Sequence, residues 1–257
     1  MGRIRMLPVV GMFAIVALAV SAATTPTTAA TPGGGSLDVA TFNIWGNVGH
    51  QGSADWVAGA VDEVLRPVPA VLALQEACRN QAEEFARRLR MRVEFLTLMP
   101  HRCDNGADFG NAVVYQAPED GPVVRRILPG LDDDEPRGVV CVQLPRVAFC
   151  SVHLSLDPGR RLTQTRLLAS MRLGRGPVIV AGDFNAEPFE HELDPMYMVP
   201  GVREALGPRG RFTQPTHDDG SKIDYMFTWG GTATFEYAYT RPSTFSDHYL
   251  YAARFVF

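Results

Sequence analysis

The chain has 257 residues, 46% of them hydrophobic and 20% charged, enough apolar content for one domain with a large core. Its formal charge of −4 gives no support to tight, nonspecific nucleic-acid binding, although it does not exclude it, because a metal site can reverse the sign locally.

In chain order, the first residues read as an export signal. Arg3 and Arg5 precede an apolar stretch from Met6 to Val20, and Ser21, Ala22 and Ala23 follow as a small-residue cleavage site. The stretch falls short of the roughly 20 apolar residues of a spanning helix, and no cysteine follows it to carry a lipid. Residues 1–23 are therefore read as a signal peptide that leaves no stable membrane anchor after processing. Residues 24–36, rich in Thr, Ala, Pro and Gly, lack apolar periodicity and read as a disordered linker. The folded domain is expected over 37–257. Without Arg3 and Arg5, 22 basic residues remain against 28 acidic ones, about −6.

A first strand is expected over 37–44, from the alternation of Leu37, Val39 and Thr41. Ser53 caps a helix carrying Val57, Val61 and Val64 until Pro67 ends it. Ala70 to Leu74 forms a second strand ending at Gln75 and Glu76. Asn80 and Glu83 form a capping-box-like pair before the apolar face of Ala82, Phe85, Ala86 and Leu89. Strands follow near 92–98, 110–115, 122–128, 138–144 and 147–154. Asp157 caps a helix with Pro158 at its first position, reaching about Leu173. The buried run Val178 to Ala181 comes next, then strands near 222–228, 232–240 and 248–257. Many strands separated by few helices point to an α/β (α+β) fold with sheet packed on sheet.

Four cysteines in an exported chain give two disulfides with three possible connectivities. Cys141 and Cys150 flank a hairpin turning near Leu144, Pro145 and Arg146, so they are paired, leaving Cys78 with Cys103. A zinc site fits poorly, because no Cys-x-x-Cys pair is present.

Polar residues recur where the apolar runs end: Asn43, Glu76, His153, Asp183 with Asn185, Asp224, and Asp247 with His248. Unpaired polar side chains at strand termini cost core stability, so this repeated placement points to convergence on one site. Asp183 and Asn185 share one side of an extended segment and offer hard oxygens suited to Mg2+ or Ca2+. Asn111 and Arg137 are candidates for substrate contact. The run Asp132 to Glu135 reads as a solvated loop, the segment around Asp104 lacks calcium-loop spacing, and His50, His101, His191 and His217 have no supporting context.

With these residues in view, the sequence resembles the endonuclease/exonuclease/phosphatase superfamily, which includes deoxyribonuclease and neutral sphingomyelinase. The resemblance is carried by Thr41-Phe42-Asn43-Ile44-Trp45, Leu74-Gln75-Glu76, Ser151-Val152-His153-Leu154, Gly182-Asp183-Phe184-Asn185, Lys222-Ile223-Asp224-Tyr225 and Ser246-Asp247-His248, in the family's order. It implies a four-layer α/β/β/α sandwich with two central mixed sheets and a metal site at one rim. It also implies metal ligation by Glu76, with Asn43 and Asp247 completing or supporting the oxygen shell of Mg2+, or of Mn2+ or Ca2+.

His248 is then the general base. Asp224 orients one of the two histidines. His153 meets a phosphate oxygen or acts as acid to the leaving group, while Asp183 and Asn185 position water and phosphate or hold a second metal. The expected activity is that of a secreted, monomeric phosphodiesterase of nuclease type, with nucleic acid as substrate. The alternatives are a sphingomyelinase or phospholipase C acting on lipid headgroups, a phosphomonoesterase, and a catalytically silent binding protein.

Overall fold

The computed structural model describes Gly2 and residues 35–257, except 131–134 and 211–213. The signal-peptide and linker assignments therefore lie almost wholly outside the described residues, as do Asp132, Asp133 and Asp134.

Among the described residues twelve strands are formed: β1 (Ser36–Asn43), β2 (Val71–Cys78), β3 (Arg92–Met99), β4 (Phe109–Tyr115), β5 (Val124–Ile127), β6 (Gly138–Gln143), β7 (Ala148–His153), β8 (Val178–Asp183), β9 (Arg203–Glu204), β10 (Asp224–Trp229), β11 (Thr234–Arg241) and β12 (Leu250–Val256). The helices are α1 (Val57–Glu63), α2 (Arg79–Leu89), α3 (Pro158–Ser170) and a single turn, α4 (Asp194–Tyr197). The strands make two mixed sheets of six, in the orders β11-β12-β1-β2-β4-β3 and β5-β6-β7-β8-β10-β9.

Burial separates into layers. Val39, Val71 and Val113 from the first sheet pack against Val140, Phe149 and Ile179 from the second, forming the central core. The outer face of the first sheet, including Phe42, Leu72 and Val114, is covered by Val57 and Val61 of α1 and by Ala82 and Phe85 of α2. On the other side Val152, Val180 and Phe227 lie under Leu168 of α3 and Met196 of α4. The result is the expected α/β/β/α sandwich. Among the described residues, no helix is long and apolar enough to cross a membrane.

Several local expectations change. Ser53 does not cap α1: its hydroxyl accepts from the amide of Asp55, and the helix begins at Val57 without a side-chain cap. The start of α2 is fixed by Gln81 rather than by Asn80 with Glu83. The Gln81 side chain accepts from the amide of Cys78, the residue preceding the helix. Asp157 does cap α3, accepting from the amide of Arg160 at 2.9 Å. The two-residue strand β9 has no signal in the sequence.

Both disulfides are present. Cys141 and Cys150 face each other across the β6–β7 ladder. Cys78 and Cys103 tie the end of β2 to the loop before β4.

Candidate active site

The register of the second sheet builds half the site. Gly138 pairs with His153, His153 with Asp183, and Asp183 with Asp224, so three chemically capable side chains lie in one row across four strands. Gly182 permits this row. A Cβ there would stand 1.9 Å from the carbonyl oxygen of Val152, and its φ of +152° is one that L side chains rarely adopt.

The first sheet supplies the other half. Asn43 ends β1, and His248 precedes β12. Glu76 sits at a bulge in the β2–β4 ladder between Leu74 and Ala77, with a φ of +52°. A bulge re-aims a side chain, and a non-glycine residue held at positive φ is a strained position of the kind found at functional sites.

Buried polar contacts fasten the halves together. The side-chain amide of Gln75 donates to Ser151 Oγ at 2.9 Å, and Ser151 Oγ donates to the Leu74 carbonyl. Asn43 Nδ2 donates to Asp183 Oδ2 at 3.1 Å and to Glu76 Oε1 at 3.0 Å. Its own Oδ1 accepts from the amide of Trp45, so Asn43 offers hydrogens rather than oxygen to the cluster and braces both carboxylates.

Asp224 orients His248, not His153. Its Oδ2 lies 2.9 Å from His248 Nδ1, and because an ionised carboxylate only accepts, Nδ1 carries the proton. Nε2 then faces Asp183 Oδ2 at 3.6 Å. Burial opposes charge on this imidazole, but Asp224 and Asp183 outweigh it and push the group up to about 10. Burial also raises the Asp183 carboxyl, to about 7; the charge of His248 opposes that rise and Asp224 adds to it.

His153 behaves oppositely. Burial, then the charges of Arg137 and His248, hold it well below its ordinary range, so it is neutral. Nη1 of Arg137 lies 2.7 and 2.8 Å from the two ring nitrogens of His153, and Asn185 Nδ2 is 3.1 Å from Nε2. Arg137 is thus a buried neighbour of the site. Asn111 donates to the Gly138 carbonyl across the sheets, while its Oδ1 is buried without a partner.

The donor set fits a hard divalent cation. Oxygens of Glu76 and Asp183 and a nitrogen of His153 lie within 4.8 Å of one another, and Glu76 retains partial exposure through which an ion and its waters can enter. Asp247 groups instead with His217 and His248, 3.8 Å from His217 Nε2. Sequence reasoning left out His217, which meets His248 edge to face with ring centroids 4.9 Å apart. It read Glu135 as part of a solvated loop, whereas this carboxylate meets Arg137 at 2.7 Å. The spacing of two residues between Glu135 and Arg137 was the available signal; His217 carried none. A separate cavity of about 400 Å³, lined by Tyr197, Glu204, Arg209 and Phe235 among others, includes none of these residues.

The family model of the endonuclease/exonuclease/phosphatase family matches residues 40–248, the span from within β1 to His248. The chain belongs to the endonuclease/exonuclease/phosphatase family. Members of this family are hydrolases of phosphoester bonds. A comparison with curated proteins returns no match.

Among solved structures, an endonuclease/exonuclease/phosphatase family protein from Bacteroides thetaiotaomicron is similar at 18% identity and a TM-score of 0.70, over 87% of this chain and 96% of that one. The human Nocturnin catalytic domain with bound sulfate anion gives 19% and 0.68, covering 86% and 93%. A mannosyl-6-phosphatase from Bacteroides thetaiotaomicron gives 17% and 0.66, covering 86% and 100%. These likenesses establish the shared endonuclease/exonuclease/phosphatase fold.

Proposed function

We propose that this chain is an exported, divalent-metal-dependent phosphodiesterase of nuclease type. The observation that carries the reading is the 2.9 Å pair of Asp224 and His248 facing the Asp183 carboxylate, which also belongs to the Glu76–His153 group. A base, its orienting acid and an oxygen-rich cation seat converge within one buried cluster. Glu76 and Asp183 hold Mg2+, or Mn2+ or Ca2+ in its stead, braced by Asn43. When bound, the ion supplies charge compensation on the phosphoryl oxygens.

The chain's own residues do the rest. His248 takes a proton from water as the water oxygen bonds to phosphorus and the phosphorus–oxygen bond to the leaving group breaks. In the metal-free cluster the surrounding carboxylates keep that imidazole charged, so its base form depends on their charge being offset. Neutral His153, with Asn185 and Arg137, directs hydrogens at the phosphoryl oxygens or the leaving oxygen. Asp247 and His217 support His248 from its other side. The two disulfides favour the exported setting.

Incubating the protein with plasmid DNA and with RNA, with Mg2+ and with EDTA, tests this. Metal-dependent cleavage is the expected result, and its absence with both polymers removes the nuclease reading.

One observation favours a second reading, hydrolysis of phospholipid headgroups. Leu156 is 72% and Phe189 77% exposed on the loops that follow His153 and Asn185, two apolar side chains offered to solvent a few residues beyond the site. Two other aromatics do not join them: Phe109 is only 5% exposed and Phe235 packs on the central core. Headgroup release from sphingomyelin-containing vesicles, without nucleic-acid cleavage, is the outcome that selects this reading.

A further inference from the structure

Resting on the phosphoesterase reading of this site, we propose that Glu135 is a built-in placeholder for the substrate's phosphate on Arg137, and that the phosphate takes its seat by displacing the Glu135 carboxylate. The residue belongs to no part of the machinery described above, and it closes an acidic run that reads as solvent-facing in the sequence.

The geometry begins at one nitrogen. Nη1 of Arg137 lies 2.7 Å from Glu135 Oε1 and 2.7 and 2.8 Å from the ring nitrogens of His153. A guanidinium Nη1 carries two hydrogens, and its surroundings are fully claimed by these two neighbours. A phosphate oxygen that bridges Arg137 and His153 therefore meets Glu135 in its way. Arg137 keeps 9% of its side chain exposed and Glu135 35%, so the Glu135 side chain reaches solvent although the oxygen that meets Arg137 is covered.

The contact is also poorly made for a permanent brace. Arginine holds a carboxylate best through two parallel hydrogen bonds. Here the closest contact, Nη1 to Oε1, is short but unaligned, and Oε1 is buried with no hydrogen bond. Burial raises the Glu135 carboxyl above its ordinary range; Arg137 opposes the rise and the charge of Glu76 adds to it. A carboxylate so placed neutralises Arg137 in the resting site yet gives it up readily. Its tether sets a threshold, since an incoming anion must bind Arg137 and His153 better than a carboxylate already present at high effective concentration.

Calorimetric titration of inorganic phosphate into the full chain in EDTA, with wild type, Glu135→Gln, Arg137→Gln and the double variant, tests the proposal. Glu135→Gln is expected to bind phosphate about 5- to 10-fold more tightly, the scale of a competing charged contact, and the gain is absent in the Arg137→Gln background. With diester substrate, the same variant shows a KM lowered by a similar factor at retained kcat.

Unchanged or weaker phosphate binding by folded Glu135→Gln, its fold checked by circular dichroism, overturns the proposal and makes Glu135 a brace for Arg137. A gain that persists without Arg137 overturns it as well. The titration requires no turnover, so a wild-type chain inactive on every phosphoester removes the proposed function while leaving this result to stand or fall separately.

Discussion

Nδ1 of His248 and Oδ2 of Asp224 meet at 2.9 Å across the join between the two sheets, Asp224 opening β10 in one and His248 preceding β12 in the other. The bond fixes the tautomer, leaving Nε2 to face Asp183 and the reacting centre. Asp224→Asn removes the negative charge and offers Nδ1 a donor or a weaker acceptor. Its kcat is expected to fall about 100-fold or more, the range associated with a positioned base, with little change in KM. Steady-state kinetics at saturating Mg2+ measure it, and an unaltered kcat contradicts the assignment.

Removal of metal separates the ion's seat from the base. Glu76→Gln keeps the shape of the side chain but loses its charge. Its Mg2+ affinity, read by calorimetry, is expected to fall at least about 10-fold, since carboxylate charge dominates binding of hard cations. Asp224→Asn is expected to bind Mg2+ nearly as the wild type does, so the two variants lose activity for distinguishable reasons.

Asp183 links stability to pH. Its carboxyl titrates near 7 in the fold against 3.8 ordinarily, with burial as the main cause. A group raised in this way takes up protons on folding, so its contribution to stability is fully present below about 4 and declines as pH rises towards 7. Asp183→Asn abolishes that decline. In EDTA at pH 8 the variant is expected to be more stable than wild type by on the order of 1 kcal/mol, with no advantage at pH 4 and little remaining activity. Urea unfolding at the two pH values checks this, and a variant less stable at pH 8 refutes it.

The Cys78–Cys103 bridge closes two residues beyond Glu76. Replacing both cysteines by alanine is expected to lower unfolding free energy by about 2–4 kcal/mol. It also frees the strand end that holds Glu76, so the Mg2+ concentration for half-maximal activity rises. The corresponding Cys141–Cys150 double variant loses stability on a similar scale without that rise, because the bridge lies within the β6–β7 ladder away from the ion's seat.

Much of the fold is legible as apolar runs. Val178 to Ala181, Val71 to Leu74 and Gly138 to Gln143 are fully buried strands, as continuous hydrophobic stretches imply. Where tertiary contacts override local preference, legibility ends. The extension of β2 through Gln75 to Cys78 depends on a bulge, and the α2 start depends on a glutamine reaching back to Cys78.

The candidate site is legible for a related reason: strand ends can be counted along a sequence, and Asn43, His153, Asp183 and Asp224 stand at them, with His248 just before β12 and Glu76 at the bulge near the end of β2. Which histidine Asp224 serves, and which cation Glu135 meets, are relations between distant segments, and no local pattern records those. His217 shows the limit best, since only its pairing opposite His248 gives it a neighbour that matters.

The contacts of Gln75 with Ser151 and of Asn43 with Asp183 stitch one sheet to the other directly beneath the reacting groups. Neither sheet owns the candidate site: the proposed cation seat and the proposed base are each assembled from both. On the proposed reading, turnover is a gauge of how the two layers are aligned, and a methyl group lost deep in the central core, far from any phosphate, is expected to reach the reaction by letting one layer slip against the other.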